Sequence, residues 1–305
     1  SGGGRMTLED APGKAVHGSP WEVGGSAWNF SRPLVMGVVN VTPDSFSDGG
    51  DCVDPGQALD RALELAAEGA DILDIGGASS HPRARNTSPG EELRRVLPLL
   101  ERLAAQTPVP LSIDTTHPAV AEACLEAGAH LINDVSGLPA PDMARVAAGH
   151  DAPLVITWNN FAQPRSAQPR SAQPRPAAPP GAAPRLEEDM LEFFRLKTGE
   201  ALGQGARRLI LDPGYGFGKT IPENLALLRA LPRLQELGWP VLVCTSRKGS
   251  LGRITGEENP RELLGATIGS TLFAVVRGAH IVRVHDVKPL RQALELWRAL
   301  EQGGA

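Results

Sequence analysis

Short apolar runs recur along the chain, each ending at a polar or ionisable residue or at a glycine. They read LVMGVVN to Asn40, DILDIGG to Gly77, LSID to Asp114, HLIND to Asp134, LVITWN to Asn159, LILD to Asp212, VLVCTSRK to Lys248 and IVRVHD to Asp286. A strand buried on both faces is a continuous apolar run of this kind. A polar group at its C-terminal end must face a site, because burying it unpaired is costly. Between the runs lie stretches that predict helices over 55–68, 89–105, 118–127, 141–149, 186–204, 222–237, 260–277 and 287–302. Eight strands alternating with eight helices predict an α/β fold, a (β/α)8 TIM barrel with its active site at the C-terminal rim of the strands.

A period of two βα units reinforces this reading. Four strands follow a Gly-Ala pair, at Gly69-Ala70, Gly128-Ala129, Gly205-Ala206 and Gly278-Ala279, where glycine supplies a left-handed helix stop. The other four follow Pro33, Pro110, Pro153 and Pro240, and proline costs no ladder bond at a strand's first residue. Pro118, Pro141 and Pro222 suit first helical turns. Leu290, Ala293, Leu294, Trp297 and Leu300 have the spacing of a helix face packed on the barrel.

Two regions fall outside the repeat. Residues 1–31 form a short N-terminal extension, of which SGGGR before Met6 reads as a cloning remnant. Trp21, Val23, Trp28 and Phe30 around Gly24-Gly25 suggest a hairpin that plugs the lower end of the 32–305 barrel. Residues 162–185 repeat AQPRS and AQPRP, then PAAPPGAAPR. Proline at that density blocks helix and sheet, so a solvated loop insertion at the rim is expected.

The 305-residue length suits one barrel with extensions. A net charge of −5 argues against a general nucleic-acid binder. No apolar stretch reaches the roughly 18 residues of a membrane span, and the N-terminus lacks the apolar core of a signal peptide. Cys52, Cys124 and Cys244 are odd in number and widely spaced, as expected of reduced thiols in a cytoplasmic protein.

Candidate chemistry gathers at the rim. The connection from Asn40 through Asp44, Phe46 and Asp48 to Gly50 is long and polar, fit to close over a substrate. Asp114, Asn133 and Asp212 end three strands. Together they suit a ligand edge with several N–H groups, such as an amino-pyrimidinone; a Mg²⁺ site or helix capping are the rival readings. The DPGYGFGK stretch after Asp212 allows close backbone approach and offers Phe217 as a stacking wall, without Walker spacing. Arg283 and His285, two apart on one strand, share a face and match a diphosphate. An ion pair within that segment, to Asp286, is the alternative. Arg247 is expected to face away and be structural.

At this point the chain resembles the dihydropteroate synthases, through MGVVNVTPDSFSDGG, GADILDIGG, LSIDT, GAHLINDVSG, LDPGYGFGKT, TSRK and GAHIVRVHDV. The resemblance covers the whole barrel in order. It implies a transferase of folate biosynthesis and a sulfonamide target, condensing 6-hydroxymethyl-7,8-dihydropterin diphosphate with 4-aminobenzoate, diphosphate leaving before the arylamine attacks. Carried over residue by residue, it gives the pterin to Asp114, Asn133, Asp212 and Lys248. The diphosphate falls to Asn40, Arg283, His285 and His81, with Mg²⁺ near Asn40. The aminobenzoate falls to Ser80, Pro82, Phe217 and Lys248. The chemistry rests on Asn40, Lys248, Arg283 and His285. A homodimer through the last helices is also implied.

This chain departs from the family at several positions. Glu-Ser-Thr-Arg-Pro-Gly becomes Ala78-Ser79-Ser80-His81-Pro82-Arg83, replacing a fixed guanidinium by a histidine that is only partly charged at neutral pH. Arg83 or Arg85 could restore the charge. Met-His after the fifth strand becomes Thr157-Trp158, and Ser after Lys248 becomes Gly249. Trp158 would cover the pterin face or block it. The altered half motivates a second reading, a pterin-binding paralogue with weak or no synthase activity. A third, a pterin-dependent methyl-transfer barrel, has no use for the diphosphate-facing residues.

Overall fold

The computed structural model describes residues 20–41, 55–78, 87–160 and 183–301. Its main sheet has eight parallel strands: β3 (Leu34–Asn40), β4 (Ile72–Gly76), β5 (Leu111–Asp114), β6 (Leu131–Asp134), β7 (Leu154–Thr157), β8 (Leu209–Asp212), β9 (Leu242–Val243) and β10 (Ile281–Val284). They neighbour one another in chain order, and β10 pairs with β3. A bridge from Leu211 to Val241 joins the remaining edges. The sheet is therefore the expected (β/α)8 barrel.

Helices α1 (Pro55–Ala67), α2 (Pro89–Gln106), α3 (Pro118–Glu126), α4 (Asp142–Gly149), α5 (Ala183–Gly203), α6 (Ile221–Arg229), α7 (Leu231–Gln235), α8 (Gly249–Thr255), α9 (Leu264–Val276) and α10 (Val287–Glu301) follow the sequence pattern, with three differences. The helix expected over 222–237 divides at Ala230 into α6 and α7, because Pro232 has no N–H to continue the ladder. The one expected over 260–277 opens as a 3-10 turn, Pro260–Glu262, before α9. Helix α8 was not expected. It follows directly on Lys248 and stops at Gly256, whose φ is 78°. The VLVCTSRK run is correspondingly short as a strand, ending at Val243, and the chain turns further on at Arg247, whose φ is 57°.

The strand entries repeat one device. Gly69, Gly128, Gly205 and Gly278 all have φ near 100°, between 95° and 110°, where a side chain would be strained. The residue two beyond the glycine then accepts a backbone N–H from the preceding strand's entry. Asp71 accepts from Val35 at 2.8 Å, His130 Nδ1 from Leu111 at 3.1 Å and His280 Nδ1 from Val241 at 3.0 Å. Asp71 is also paired with Arg32 and Arg291. At the fourth entry Arg207 carries no such acceptor, and the Arg208 carbonyl takes the N–H of Leu154.

Inside the barrel, alternation places side chains in tiers. A lower disc of Leu34, Met36, Ile72, Leu131, Val155, Ile210, Leu242 and Ile281 forms one apolar cluster with Trp21, Val23, Trp28 and Phe30. Those four come from an antiparallel hairpin, β1 (Trp21–Val23) and β2 (Ser26–Trp28), that turns at Gly24-Gly25. Two residues further along the strands, the inward positions become Asp74, Ser112, Asn133, Thr157, Asp212, Cys244 and Arg283, with Val38 of β3 the one aliphatic member. The interior thus turns from apolar to polar at mid-height. The outward faces of the strands join the helices in a second core. In α10, Leu290 is buried and Leu294 packs on that core, whereas Leu300 is exposed. The expected packing stripe therefore ends before the helix does. Cys124 and Cys244 are free thiols; Cys52 and most of the Pro/Arg insertion lie outside the described residues. Among the described residues no helix is long and apolar enough to cross a membrane.

Candidate active site

The polar tier centres on Arg283, which β10 sends inward beside Met36 of β3. Its Nε donates to Asp74 Oδ2 at 2.6 Å and its Nη2 to Asp114 Oδ2 at 2.9 Å. The alternative partner, Asp286, is instead held by Arg247 at 2.8 Å, so Arg247 has the structural role expected of it. Burial opposes the charge of Arg283, yet the carboxylates of Asp74 and Asp114 hold its pKa above the usual guanidinium value. Asp114 behaves oppositely: burial, with Asp74 adding repulsion, outweighs the Arg283 charge and pushes its pKa up to about 7.

Asp114 and Asn133 are neighbours in register across β5 and β6. Asn133 Nδ2 donates to Asp74 Oδ2 at 2.9 Å. Asn133 Oδ1, Asp74 Oδ1 and Ser112 Oγ are buried with no partner among the described residues. An acceptor such as Asn133 Oδ1 at the polar end of a barrel is what a ligand rich in N–H groups would satisfy. Asp212 accepts from Gly214 N at 2.8 Å and from the Thr157 hydroxyl at 3.4 Å. Burial raises its pKa despite Gly214 N–H and the nearby Lys248 and Lys219.

The loop after β8 is shaped by Lys219. Its buried ammonium donates to three carbonyls, Trp158 at 2.6 Å, Gly214 at 3.0 Å and Phe217 at 3.2 Å. It also lies over the Trp158 ring, 4.6 Å from the centroid. Burial brings its pKa down to about 7. Gly214 is required here, since a Cβ would stand 2.1 Å from the Trp158 carbonyl oxygen. The clamp sets Phe217, and Lys248 lies over that ring at 4.5 Å, a cation–π contact. Trp158 neither covers nor blocks the mouth: fully buried, it packs on Phe193 of α5.

His285 is fixed by Ser246, whose Oγ accepts from His285 N at 3.2 Å and meets Nδ1 at 2.9 Å. Burial, then the surrounding Arg283, Arg247 and Lys248, press its pKa down to about 3. The ring is therefore neutral, and we assign the hydroxyl hydrogen to Nδ1, which leaves Nε2–H as the donor. Asn40 closes β3, half-buried and in register with Gly76. Ser80, His81, Pro82, Arg83, Arg85, Asp44 and Asp48 lie outside the described residues.

The sequence reading therefore placed Asp114, Asn133, Asp212, Lys248, Arg283, His285, Phe217 and Asn40 at one end of the barrel, as found. It assigned no role to Asp74, Lys219 or Ser246. Asp74 had a signal: a carboxylate inside the apolar run DILDIGG must be paired once buried. Lys219 had none, because the convergence of three carbonyls depends on loop geometry.

Comparison with known proteins agrees with this geometry. A family described as "Pterin binding enzyme" matches residues 36–285. The dihydropteroate synthase of Synechocystis is 38% identical over 287 residues, 92% of this chain and 96% of that protein. A Xanthomonas albilineans dihydropteroate synthase solved with 4-aminobenzoic acid superimposes with a TM-score of 0.81 at 42% identity, covering 94% of this chain and all of the other. The same enzyme solved with 7,8-dihydropteroate gives a TM-score of 0.77 at 40% identity over the same share of each chain.

Proposed function

The chain belongs to the family of pterin-binding enzymes that includes the dihydropteroate synthases, and from that premise we propose that it joins 6-hydroxymethyl-7,8-dihydropterin diphosphate to 4-aminobenzoate. The products are 7,8-dihydropteroate and diphosphate, and the transfer forms one C–N bond. The observation that carries this reading is the division of the polar tier. Asp114, Asn133 and Asp212 supply acceptors and Arg283, His285 and Lys248 supply donors, two chemically distinct sets that meet where Arg283 donates to Asp114.

In this reading the heterocycle lies against the acceptors and its diphosphate against Arg283, His285 and Asn40. The bond to diphosphate breaks first, and its electron pair leaves with the diphosphate oxygen. Arg283 and the His285 Nε2–H stabilise that departing charge. The carboxylates of Asp114 and Asp212 stabilise the pterin cation left behind. The arylamine, framed by Phe217 and Lys248 with Ser80 and Pro82, attacks and loses its proton to solvent. A neutral aniline nitrogen needs no strong base for this.

Among the described residues no group of His, Cys, Asp and Glu could hold a metal ion alone. Asn40 offers one amide oxygen, a donor set that fits Mg²⁺ arriving on the diphosphate, since Mg²⁺ keeps waters and takes substrate phosphate. When bound, it would neutralise leaving-group charge. The reading extends to a homodimer through α9 and α10, supported by the exposed Leu264, Phe273, Leu296 and Leu300.

The test is diphosphate release from purified protein with Mg²⁺ and the dihydropterin diphosphate, with and without 4-aminobenzoate. Release that requires aminobenzoate, with dihydropteroate formed, is expected. Tight pterin binding without release would instead favour the paralogue that His81 and Gly249 motivate. A Cβ on Gly249 would meet nothing within 4 Å, so the missing serine hydroxyl is a loss of contact and not of space.

A further inference from the structure

Asp74 of β4 is fully buried and serves two ligand-facing side chains through one oxygen. Its Oδ2 accepts from Arg283 Nε at 2.6 Å and from Asn133 Nδ2 at 2.9 Å. A carboxylate held against a guanidinium offers only acceptors. The edge of Asn133 that faces it must therefore be the NH₂, and the amide oxygen is turned away. That oxygen is buried and has no partner among the described residues. The amide would be free to flip if position 74 could donate as well as accept. Arg283 is gripped by its Nε edge and by one Nη2 hydrogen, which fixes the plane of the fork and leaves further N–H groups for a ligand.

We propose that Asp74 is a positioning residue for both halves of the substrate: it orients Asn133 to present an acceptor to a heterocycle N–H, and it aims Arg283 at the anionic tail. This rests on the pterin and diphosphate reading of the site. It adds a coupling, because a single carboxylate sets the recognition of two chemically different groups.

The test is calorimetric titration of full-length wild type, Asp74→Asn, Asn133→Ala and the double variant. The two probes are 6-hydroxymethyl-7,8-dihydropterin and inorganic diphosphate with Mg²⁺. Asp74→Asn is expected to weaken each probe about tenfold or more, as for lost hydrogen bonds to a charged group. Asn133→Ala should weaken only the pterin. Adding Asp74→Asn to Asn133→Ala should weaken the diphosphate but leave pterin affinity where Asn133→Ala already put it. Equal pterin losses from Asp74→Asn in both backgrounds would mark a merely structural carboxylate and overturn the proposal. So would wild-type affinity for both probes. If Asp74→Asn gives no cooperative melt, Asp74→Ser is put through the same cycle with the same criteria. A wild type that binds both probes but releases no diphosphate with aminobenzoate would defeat the synthase reading and leave the role of Asp74 standing. A wild type that binds neither probe would defeat both.

Discussion

The site's most consequential residue for pH is Asp114. Its pKa lies near about 7 because burial and the Asp74 charge outweigh Arg283. Accepting an N–H calls for the ionised form, so affinity for a pterin without diphosphate should rise as pH increases through about 7. Calorimetry between pH 5.5 and 8.5 checks this, and Asp114→Asn should flatten the profile. The same shift acts on folding with the opposite sign. Between its unfolded value of 3.8 and about 7 the folded state binds the extra proton, so this group's contribution to stability declines as pH rises through that window. Site residues were legible in sequence at several strand ends, as at Asp114, Asn133 and Asp212, but not at all of them: Asp134 is bound by Ser136 and Asp286 by Arg247. The partners of Arg283 were not legible. Its carboxylate partners lie 169 and 209 residues away along the chain, and only barrel closure, with β10 pairing to β3, brings Arg283 to Asp74 of β4 and Asp114 of β5.

Among elements, the loops after β7 and β8 act as one piece through Lys219. Three carbonyls share its ammonium; without it those of Trp158 and Phe217 would lose this donor, while that of Gly214 would keep only the Phe217 N–H at 3.0 Å. Lys219→Met should lower stability by at least about 2 kcal/mol and release Phe217 from its place beneath Lys248. The expected kinetic signature is a severalfold rise in KM for aminobenzoate with a smaller change for the dihydropterin diphosphate. Steady-state kinetics with a parallel thermal melt separate these effects, and equal rises for both substrates would count against the clamp. Helix periodicity gave most element bounds to within a residue or two, because the Gly-Ala stops are chemical signals read locally. It did not give α8 or the break at Ala230. The first is a short turn following Arg247 in the left-handed region, and the second depends on Pro232 removing one N–H within an otherwise helical pattern.

For the molecule as a whole, the barrel is plugged from below by the β1–β2 hairpin. Trp28→Ala should cost about 3–5 kcal/mol, read as a lowered denaturation midpoint, with KM values unchanged because the polar tier lies on the far side of the apolar disc. Deleting residues 163–183 should leave a single cooperative thermal transition; its loss would show that the insertion belongs to the fold. The barrel itself was legible because strand, stop and proline entry recur with a regular period. Its vertical division was not, since which inward residues share a height depends on stagger between strands. That stacking of hairpin, apolar disc and polar tier lets inheritance treat the two ends as separate ledgers. Descendants could rewrite Thr157, Cys244 or Gly249 to greet a different ring while Trp21, Met36 and Ile281 keep the same scaffold standing. Drift at the base would register as heat tolerance and drift at the rim as diet.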